Sequence, residues 1–230
     1  MFLPHFYAGN RAAVGGAASS YLPSDNPASL VGWFRMGVGV TSSGGFASAW
    51  ADQSGNGHDL LQGTATNQPA YDGTAILTFD GVDNFMQTAA FTLNVPIQVS
   101  ALVRQISFTN NDTFWDGIGV DLIDLFQNVT SPNVALYSGL TAANNTNMTI
   151  GTFFAVTALY NGASSSLKVG STAATTGNPG TRNAGGFTLG SGGNAPGPSA
   201  WVNADFKEII LRNVDDATIR ANDHAYLQTL

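Results

Sequence analysis

Short apolar runs separated by polar, turn-forming clusters make up most of the chain. Runs rich in Val, Ile, Leu and Phe alternate with stretches of Gly, Asn, Asp, Pro and Ser, a pattern typical of β-strands joined by turns. The predicted strands cover residues 76–79, 99–108, 152–160, 166–169, 187–189 and 206–211. The pattern therefore predicts an all-β architecture.

A central strand, a hairpin and a terminal helix refine this picture. The segment 153–160 is apolar on both alternating faces, which is typical of a strand covered on both sides. The dipeptide Asn161-Gly162 follows it directly and favours a hairpin turn. At the C-terminus, Asp215 or Asp216 can cap a helix over 217–227. Many strands and one terminal helix predict a β-sandwich that is closed by a short helix.

Composition sets the size of the core and the number of domains. The 230 residues include 14 Phe, 6 Tyr and 4 Trp, which is ample material for a packed core and excludes disorder throughout. No apolar stretch approaches the roughly 20 residues that a membrane-spanning helix needs. We expect an N-terminal arm over residues 1–21, with no cleaved signal peptide, and one domain over residues 22–230.

Charge and cysteine content exclude several function classes. The net charge is −7, from 15 acidic and 8 basic residues, and the basic residues form no cluster. Phosphate backbones and anionic membranes require such clusters, so we expect neither nucleic acid nor membrane as a partner. The chain contains no cysteine, which excludes thiol catalysis and cysteine-based zinc sites.

Three stretches in chain order carry a family pattern. The first contains Trp-x-Asp-x-Ser-Gly-Asn-Gly at 50–57 and Phe-Asp-Gly-x-x-Asn at 79–84; the second is the hairpin at 156–170; the third is the final strand and helix from residue 206. Together they resemble the laminin-G-like, concanavalin A-like jelly rolls over residues 28–230. The resemblance implies two antiparallel sheets in a jelly roll. It departs from the family at 214–216, where Val-Asp-Asp stands in place of the usual Leu-Ser helix start.

The sequence offers little that would support catalysis. Glucanases that resemble this fold carry two glutamates on one strand, whereas Glu208 is the only glutamate here. Asp121 and Asp124 are three residues apart, so one strand would point them to opposite faces. The three histidines lie in the arm, in a polar loop and in the terminal helix, and no Gly-x-Ser-x-Gly motif accompanies them. We therefore expect no enzymatic activity.

Two oxygen-rich loops are candidates for calcium, the one cofactor that we consider. Asp52, Asn56 and Asp59 share the first loop, and Asp80 and Asp83 share the second. Carboxylate and amide oxygens are the ligands that calcium prefers. The alternative is that these side chains accept hydrogen bonds from their own backbone and hold turns.

Sugar binding requires exposed aromatic rings with polar neighbours. Trp115 and Trp201 lie in polar contexts and are candidate platforms, while Asn144 and Asn145 offer amide groups to sugar hydroxyls. The alternatives are that Trp115 forms a partly buried wall and that the asparagines belong to a solvated loop. Host-surface polysaccharide is thus a candidate partner.

The N-terminal arm is predicted to anchor the domain to another protein chain. A Gly, Ala and Ser-rich hinge follows four large apolar side chains that would be poorly soluble if left in water. These anchor residues are Phe2, Leu3, Phe6 and Tyr7. We expect them to contact copies of the same chain or other virion proteins.

Three functional hypotheses follow. The favoured one is a non-enzymatic virion structural protein, a phage head or tail fibre, spike or decoration subunit that assembles in the host cytoplasm and binds host-surface glycans. The alternative is a secreted bacterial carbohydrate-binding module. The carboxylate pattern makes a polysaccharide-cleaving enzyme the least favoured of the three.

Overall fold

The computed structural model describes residues 21–120, 122–193 and 197–230. The predicted anchor residues Phe2, Leu3, Phe6 and Tyr7, and with them the arm, lie outside the described residues. Within the described part, the regular elements in chain order are β1 (Leu30–Phe34), β2 (Val40–Ser43), β3 (Phe46–Trp50), β4 (Leu60–Leu61), β5 (Ala70–Tyr71), β6 (Leu77–Asp80), β7 (Met86–Gln87), β8 (Ile97–Gln105), β9 (Thr113–Asp116), β10 (Asp124–Gln127), β11 (Asn133–Tyr137), β12 (Ala143–Asn147), β13 (Phe153–Tyr160), β14 (Ser165–Val169), β15 (Thr175–Gly177), β16 (Thr188–Leu189), β17 (Asn203–Arg212) and α1 (Ala217–Leu227). The prediction of an all-β fold with a C-terminal helix is confirmed.

The longest strands form one group centred on β17. This strand pairs along its length with β8, and its other edge pairs with β1 and β6. On the far side of β8, the pairing continues through β13 to β14 and β15. All of these pairs are antiparallel, and 3₁₀ turn Gly162–Ser164 joins β13 to β14 where the sequence predicts a hairpin.

Shorter strands form a second group. It runs from β7 through β16, β9, β10 and β11 to β12, again with antiparallel pairing. Strands β3 to β5 join the two groups, because β4 pairs with β7 and β5 pairs with β6. All described strands therefore belong to one hydrogen-bonded sheet of 17 strands. This corrects the prediction of two separate sheets, since the short linking strands satisfy edges that would otherwise be open.

The core lies where the two groups face each other. Phe206 on β17 packs edge-on against Phe79, with 5.3 Å between ring centroids, and reaches Phe114 of the second group at 6.5 Å. All three rings are fully buried. The strand pattern predicts eight core residues, of which Phe154 is half-buried and the other seven are confirmed as buried: Trp33, Phe79, Val156, Leu167, Leu189, Ile209 and Leu211.

Helix α1 covers the outer face of the first group. Asp216 is its N-cap and accepts hydrogen bonds from the backbone N–H groups of Thr218 and Ile219 at 2.8 and 3.0 Å. Leu227 near its end packs in a separate apolar cluster with Trp33, so Trp33 is buried beneath the helix and not between the two groups. No helix in the described part of the chain has the length and apolar character to cross a membrane.

Candidate functional site

Two aspartates lie opposite each other on neighbouring strands of the second group. Trp115 pairs with Leu125 in the antiparallel register of β9 and β10, which places Asp116 opposite Asp124. Directly opposed residues in a sheet share one face. The same face continues on both sides, since Asp116 pairs with a threonine of β16 and Asp124 pairs with Tyr137 of β11. The carboxyl groups of Asp116 and Asp124 are close enough for Asp116 to raise the pKa of Asp124.

Backbone amides hold Asp116 in place. Its side chain is fully buried, and Oδ1 accepts hydrogen bonds from the N–H groups of Gly117 at 2.6 Å and Ile123 at 3.1 Å, while Oδ2 accepts from Gly193 at 2.9 Å. The carboxylate thus joins the loop after β9 to the loop after β16. A side chain at Gly193 is excluded, because its Cβ would lie 1.8 Å from the Gly117 carbonyl oxygen.

Asp124 is the accessible member of the pair. Burial raises its pKa well above the ordinary value, and the hydrogen bond to Asp116 and the negative charge of Asp116 raise it further. Its Oδ1 atom is buried and has no hydrogen-bond partner among the described residues. Asp124 therefore retains a proton at pH values where an ordinary aspartate is ionised, and it can donate that proton to a bound group.

A cavity of about 300 Å³ opens beside Asp124. Two half-buried aromatic rings line it, Phe126 on β10 and Tyr137 on β11, which are diagonal neighbours across the two strands. Hydroxyl, amide and backbone groups complete the wall; the other lining residues are Asn111, Thr113, Gly192, Ser199 and Ala200.

The cavity wall contains backbone strain. Asn111 and Ala200 have φ angles of 77° and 56°, the left-handed region that residues with a Cβ rarely adopt. The carbonyl of Ala200 accepts from the N–H of Thr113 at 2.8 Å, which fixes the strained loop to β9. Asp112 lies between Asn111 and Thr113 in the chain. Burial raises its pKa to about 6, and a hydrogen bond with the Thr109 side chain opposes this shift with a smaller effect. Strain and shifted pKa values are concentrated where proteins bind or react.

Trp115 supports the site from the core side. Its Nε1 donates to the Tyr160 hydroxyl at 3.0 Å, and both side chains are fully buried. Burial raises the pKa of Tyr160 well above its ordinary value. The prediction that Trp115 is an exposed sugar platform needs correction: the residue lies in a strand that the sequence pattern did not reveal, and its ring packs in the core.

The other predicted sugar-binding residues lie apart from one another. Trp201 is half-buried next to the cavity wall, with an Nε1 atom that lacks a partner among the described residues. Asn144 is buried on β12, and its amide donates to the carbonyl of Ser165 at 3.0 Å. Asn145 is exposed and accepts from Asn128. The structure therefore does not bring the four predicted residues together.

The first predicted calcium loop is a hydrogen-bonded turn. Asp52 accepts at Oδ1 from the backbone N–H groups of Trp33 and Ser54, both at 2.8 Å. Its Oδ2 accepts from the Ser54 hydroxyl at 2.7 Å and the His58 N–H at 3.1 Å, and Asp59 accepts from the N–H of Asp52. These contacts agree with the alternative interpretation of the sequence, in which the side chains hold turns through hydrogen bonds to the backbone.

The second calcium loop has the same character. Asp80 accepts from the N–H of Val82 at 2.9 Å, and the backbone N–H of Asp83 lies at 3.4 Å from the same oxygen. In the first loop, Asn56 donates its amide to the carbonyl of Leu30 at 2.8 Å, so it acts as a donor. Among the residues that the structure describes, no three His, Cys, Asp or Glu side chains are grouped so that they could hold a metal ion.

Sequence reasoning missed the pairing of Asp116 with Asp124. The two are separated by a loop and belong to strands whose short, polar-interrupted runs gave no strand signal. Asp121, which was weighed against Asp124, lies outside the described residues. Glu208 is buried and accepts from Trp33 Nε1 and the Tyr226 hydroxyl, both at 2.7 Å, so it supports the layer beneath α1.

Comparisons with known proteins show similarity in fold. No protein-family model matches the sequence, and no curated protein matches it either. A Trypanosoma rangeli sialidase in complex with sialic acid is similar in structure, with a TM-score of 0.57 and 14% identity over 88% of this chain and 33% of that one. A GH54 α-L-arabinofuranosidase soaked with a cyclic sulfate inhibitor gives 0.59 and 15% over 79% of this chain and 51% of that one. An arabinofuranosidase complexed with arabinofuranosyl-α-1,2-xylobiose gives 0.58 and 13%, over 80% and 50%.

These comparisons correct the functional prediction. The chain spans about a third of the sialidase and about half of the arabinofuranosidases, and at such low identity the similarity establishes the fold alone. The three similar proteins are a sialidase and two arabinofuranosidases, all glycosidases, and this finding contradicts the prediction of a non-enzymatic virion structural protein. The prediction of no enzymatic activity is contradicted by the same finding; it considered carboxylates within one strand and not across two.

Proposed function

We propose that this chain is a carbohydrate-active domain that binds a sugar in the cavity beside Asp124. The observation that carries the proposal is the cavity itself, where the Phe126 and Tyr137 rings stand beside the Asp124 carboxyl group, whose pKa is raised. Aromatic rings offer apolar faces to the C–H groups of a sugar, and polar side chains pair with its hydroxyls. The size of about 300 Å³ lies at the lower end of the range for small-molecule sites.

The fold similarity supports the same proposal. We infer that the 17-stranded sheet is bent into two facing layers, as in the laminin-G-like and concanavalin A-like jelly rolls that the sequence resembles. Contacts between the groups support this inference: Phe114 reaches Phe206, and Trp115 donates to Tyr160. A fold of this kind serves many functions, so the cavity and not the fold carries the functional argument.

A glycan panel followed by calorimetry tests the proposal. The purified chain should bind at least one oligosaccharide, and Phe126→Ala should weaken that binding about tenfold or more through loss of ring contact. Phe46→Ala is the matched control, because Phe46 is a 49% exposed aromatic side chain that does not line the cavity. Absence of binding to every glycan, or equal losses in both variants, would overturn the proposal.

A second candidate function is cleavage of the bound glycosidic bond. It is favoured by the raised pKa of Asp124, because a general acid must hold its proton until the leaving oxygen needs it. Asp116 does not serve as the second carboxylate of the known two-carboxylate mechanisms. It is fully buried and lies directly opposite Asp124 on the neighbouring strand, whereas those mechanisms separate the carboxyl groups by about 5 to 10 Å. Asp116 instead positions Asp124.

Release of reducing ends from the bound glycan tests this second function. Asp124→Asn should abolish release and retain binding within about threefold, since the amide keeps the size and hydrogen-bonding capacity of the side chain. Thr176→Ser, a conservative change at an exposed position of β15 outside the cavity, should retain both. Binding without any release in the native chain would leave the domain as a sugar-binding module alone.

A further inference from the structure

We infer that the Asp124 cavity selects uncharged sugars and rejects sugars that carry a carboxylate, such as sialic and uronic acids. The inference rests on the proposed function and states its substrate class. It separates two kinds of ligand that occur in the matched structures, since one sialidase there holds sialic acid and one arabinofuranosidase holds an arabinofuranosyl xylobiose.

The cavity offers no positive charge to an anionic ligand. Among the described residues that line it, none is lysine, arginine or histidine. Recognition of a carboxylate in a pocket relies on charge-assisted hydrogen bonds, most often from arginine. A sugar carboxylate placed here would lose its hydration without gaining such a partner.

No basic residue of the described part lines this wall; Arg182, which lies beyond the end of β11, donates from its guanidinium to the Val120 carbonyl at 2.8 Å, and several others are engaged elsewhere. Arg104 pairs with Asp205, and Arg212 pairs with the buried Asp223. Lys207 lies over the Phe153 ring at 4.4 Å, on the opposite group of strands. None of these side chains belongs to the cavity lining.

Among the described residues, the ionisable acid in the cavity lining is Asp124, and two more aspartates lie next to lining residues. Asp116 lies directly behind Asp124, and Asp112 lies between two lining residues of the loop before β9. The negative charge of an incoming sugar carboxylate would disfavour ionisation of these aspartates. Ionised aspartates would in turn disfavour the charged form of the sugar carboxylate. Like charges brought together in a partly buried site oppose binding, which gives selectivity by rejection of the wrong ligand.

The hydroxyl groups of an uncharged sugar suit the same wall. Asp124 lines the cavity, and a carboxyl group there can exchange hydrogen bonds with a sugar hydroxyl. Asn111, Thr113 and Ser199 add polar side chains that both donate and accept. An uncharged sugar can therefore satisfy polar groups that would otherwise remain unpaired in the bound state.

Matched oligosaccharides that differ by one acidic residue test the inference. Calorimetry should compare lactose with 3′-sialyllactose and xylotriose with its glucuronic acid-substituted form, together with any neutral binder from the panel. The neutral member of each bound pair should bind at least tenfold more tightly. Ser199→Arg should reduce this ratio severalfold, because Ser199 is exposed on the cavity wall and can carry an arginine without displacing the core.

The control and the opposing outcomes are distinct. Thr176→Arg adds the same charge at an exposed position of β15 outside the cavity. Its ratio of neutral to acidic oligosaccharide affinity should therefore equal that of the native chain. Equal or tighter binding of the acidic members, with loss in Phe126→Ala, would overturn the selectivity and leave the proposed function standing. Absence of binding to every oligosaccharide would overturn the proposed function, and the selectivity with it.

Discussion

Arg212 and Asp223 form a fully buried ion pair in which two nitrogen atoms of the guanidinium meet both carboxylate oxygens. Nε donates to Oδ2 at 2.6 Å, and an Nη atom donates to Oδ1 at 2.9 Å. The Gln98 amide and the Tyr21 hydroxyl donate to the same carboxylate at 2.8 and 2.7 Å. Because Arg212 ends β17 and Asp223 lies on α1, the pair fastens the helix to the sheet.

Removal of one partner of this pair should be strongly destabilising. Asp223→Ala leaves an uncompensated buried guanidinium, and we expect the free energy of unfolding to fall by about 3 to 5 kcal/mol in urea denaturation. The comparison is Arg220→Ala, which removes the partly exposed ion pair with Asp215 and should cost less than about 1 kcal/mol. Similar losses in both variants would show that the buried network does not fasten the helix.

Truncation of core aromatic residues should follow burial. Phe206→Ala removes a fully buried ring that contacts Phe79 and Phe114, and it should lower the free energy of unfolding by about 3 to 5 kcal/mol. Phe154→Ala, in the half-buried residue that the sequence pattern placed in the core, should cost roughly 1 to 2 kcal/mol. Guanidinium denaturation measures the free energy of unfolding of both variants. A greater loss of stability in Phe154→Ala than in Phe206→Ala would contradict the prediction.

Asp124 should make the fold less stable as the pH rises. Its folded-state pKa is raised above the ordinary value of 3.8, so between the two pKa values the folded state binds more protons than the unfolded state. The free energy of unfolding therefore falls as the pH increases through that window. Asp124→Asn cannot ionise, and we expect its melting temperature to exceed that of the native chain at pH 7 and to approach it near pH 3.

Asp72 is the control for this titration, because its pKa is shifted in the opposite direction. Partial desolvation would raise its pKa, but hydrogen bonds from the N–H groups of Ile76, Ala75 and Thr74 outweigh that effect and lower it to about 2. The stability that Asp72 contributes is present above pH 3.8 and is lost as the pH falls toward 2. Asp72→Asn should therefore be less stable than the native chain at pH 7. A calorimetric pH series in which both variants shift in the same direction would refute the assignment.

The helix cap should make a smaller contribution. Asp216→Ala removes the acceptor for two N–H groups of the first helical turn and should cost about 0.5 to 2 kcal/mol. Asp216→Ser keeps a capping oxygen and should retain most of that stability. The free energy of unfolding of both variants, measured by thermal and urea denaturation, checks the difference, and equal losses would mean that the cap does not support the helix.

The alternation of apolar runs and turns determined much about this protein without any structure. It predicted the all-β class, the long strands around Val156 and Ile209, and the helix that begins after Asp216, and each is found. These features are local, because periodicity, propensity and caps act over a few neighbouring residues. The low charge and the Asp, Asn and Gly-rich turns likewise follow from composition alone.

Tertiary structure decided the candidate site. Asp116 and Asp124 become neighbours only through the register of two short strands, and the polar runs that contain them carry too little apolar alternation to predict that register. The burial of Trp115 and the raised pKa of Asp124 depend on the loops and strands packed around them. Proximity across strands and the loss of hydration are properties of the folded chain as a whole, so residue order alone does not specify them.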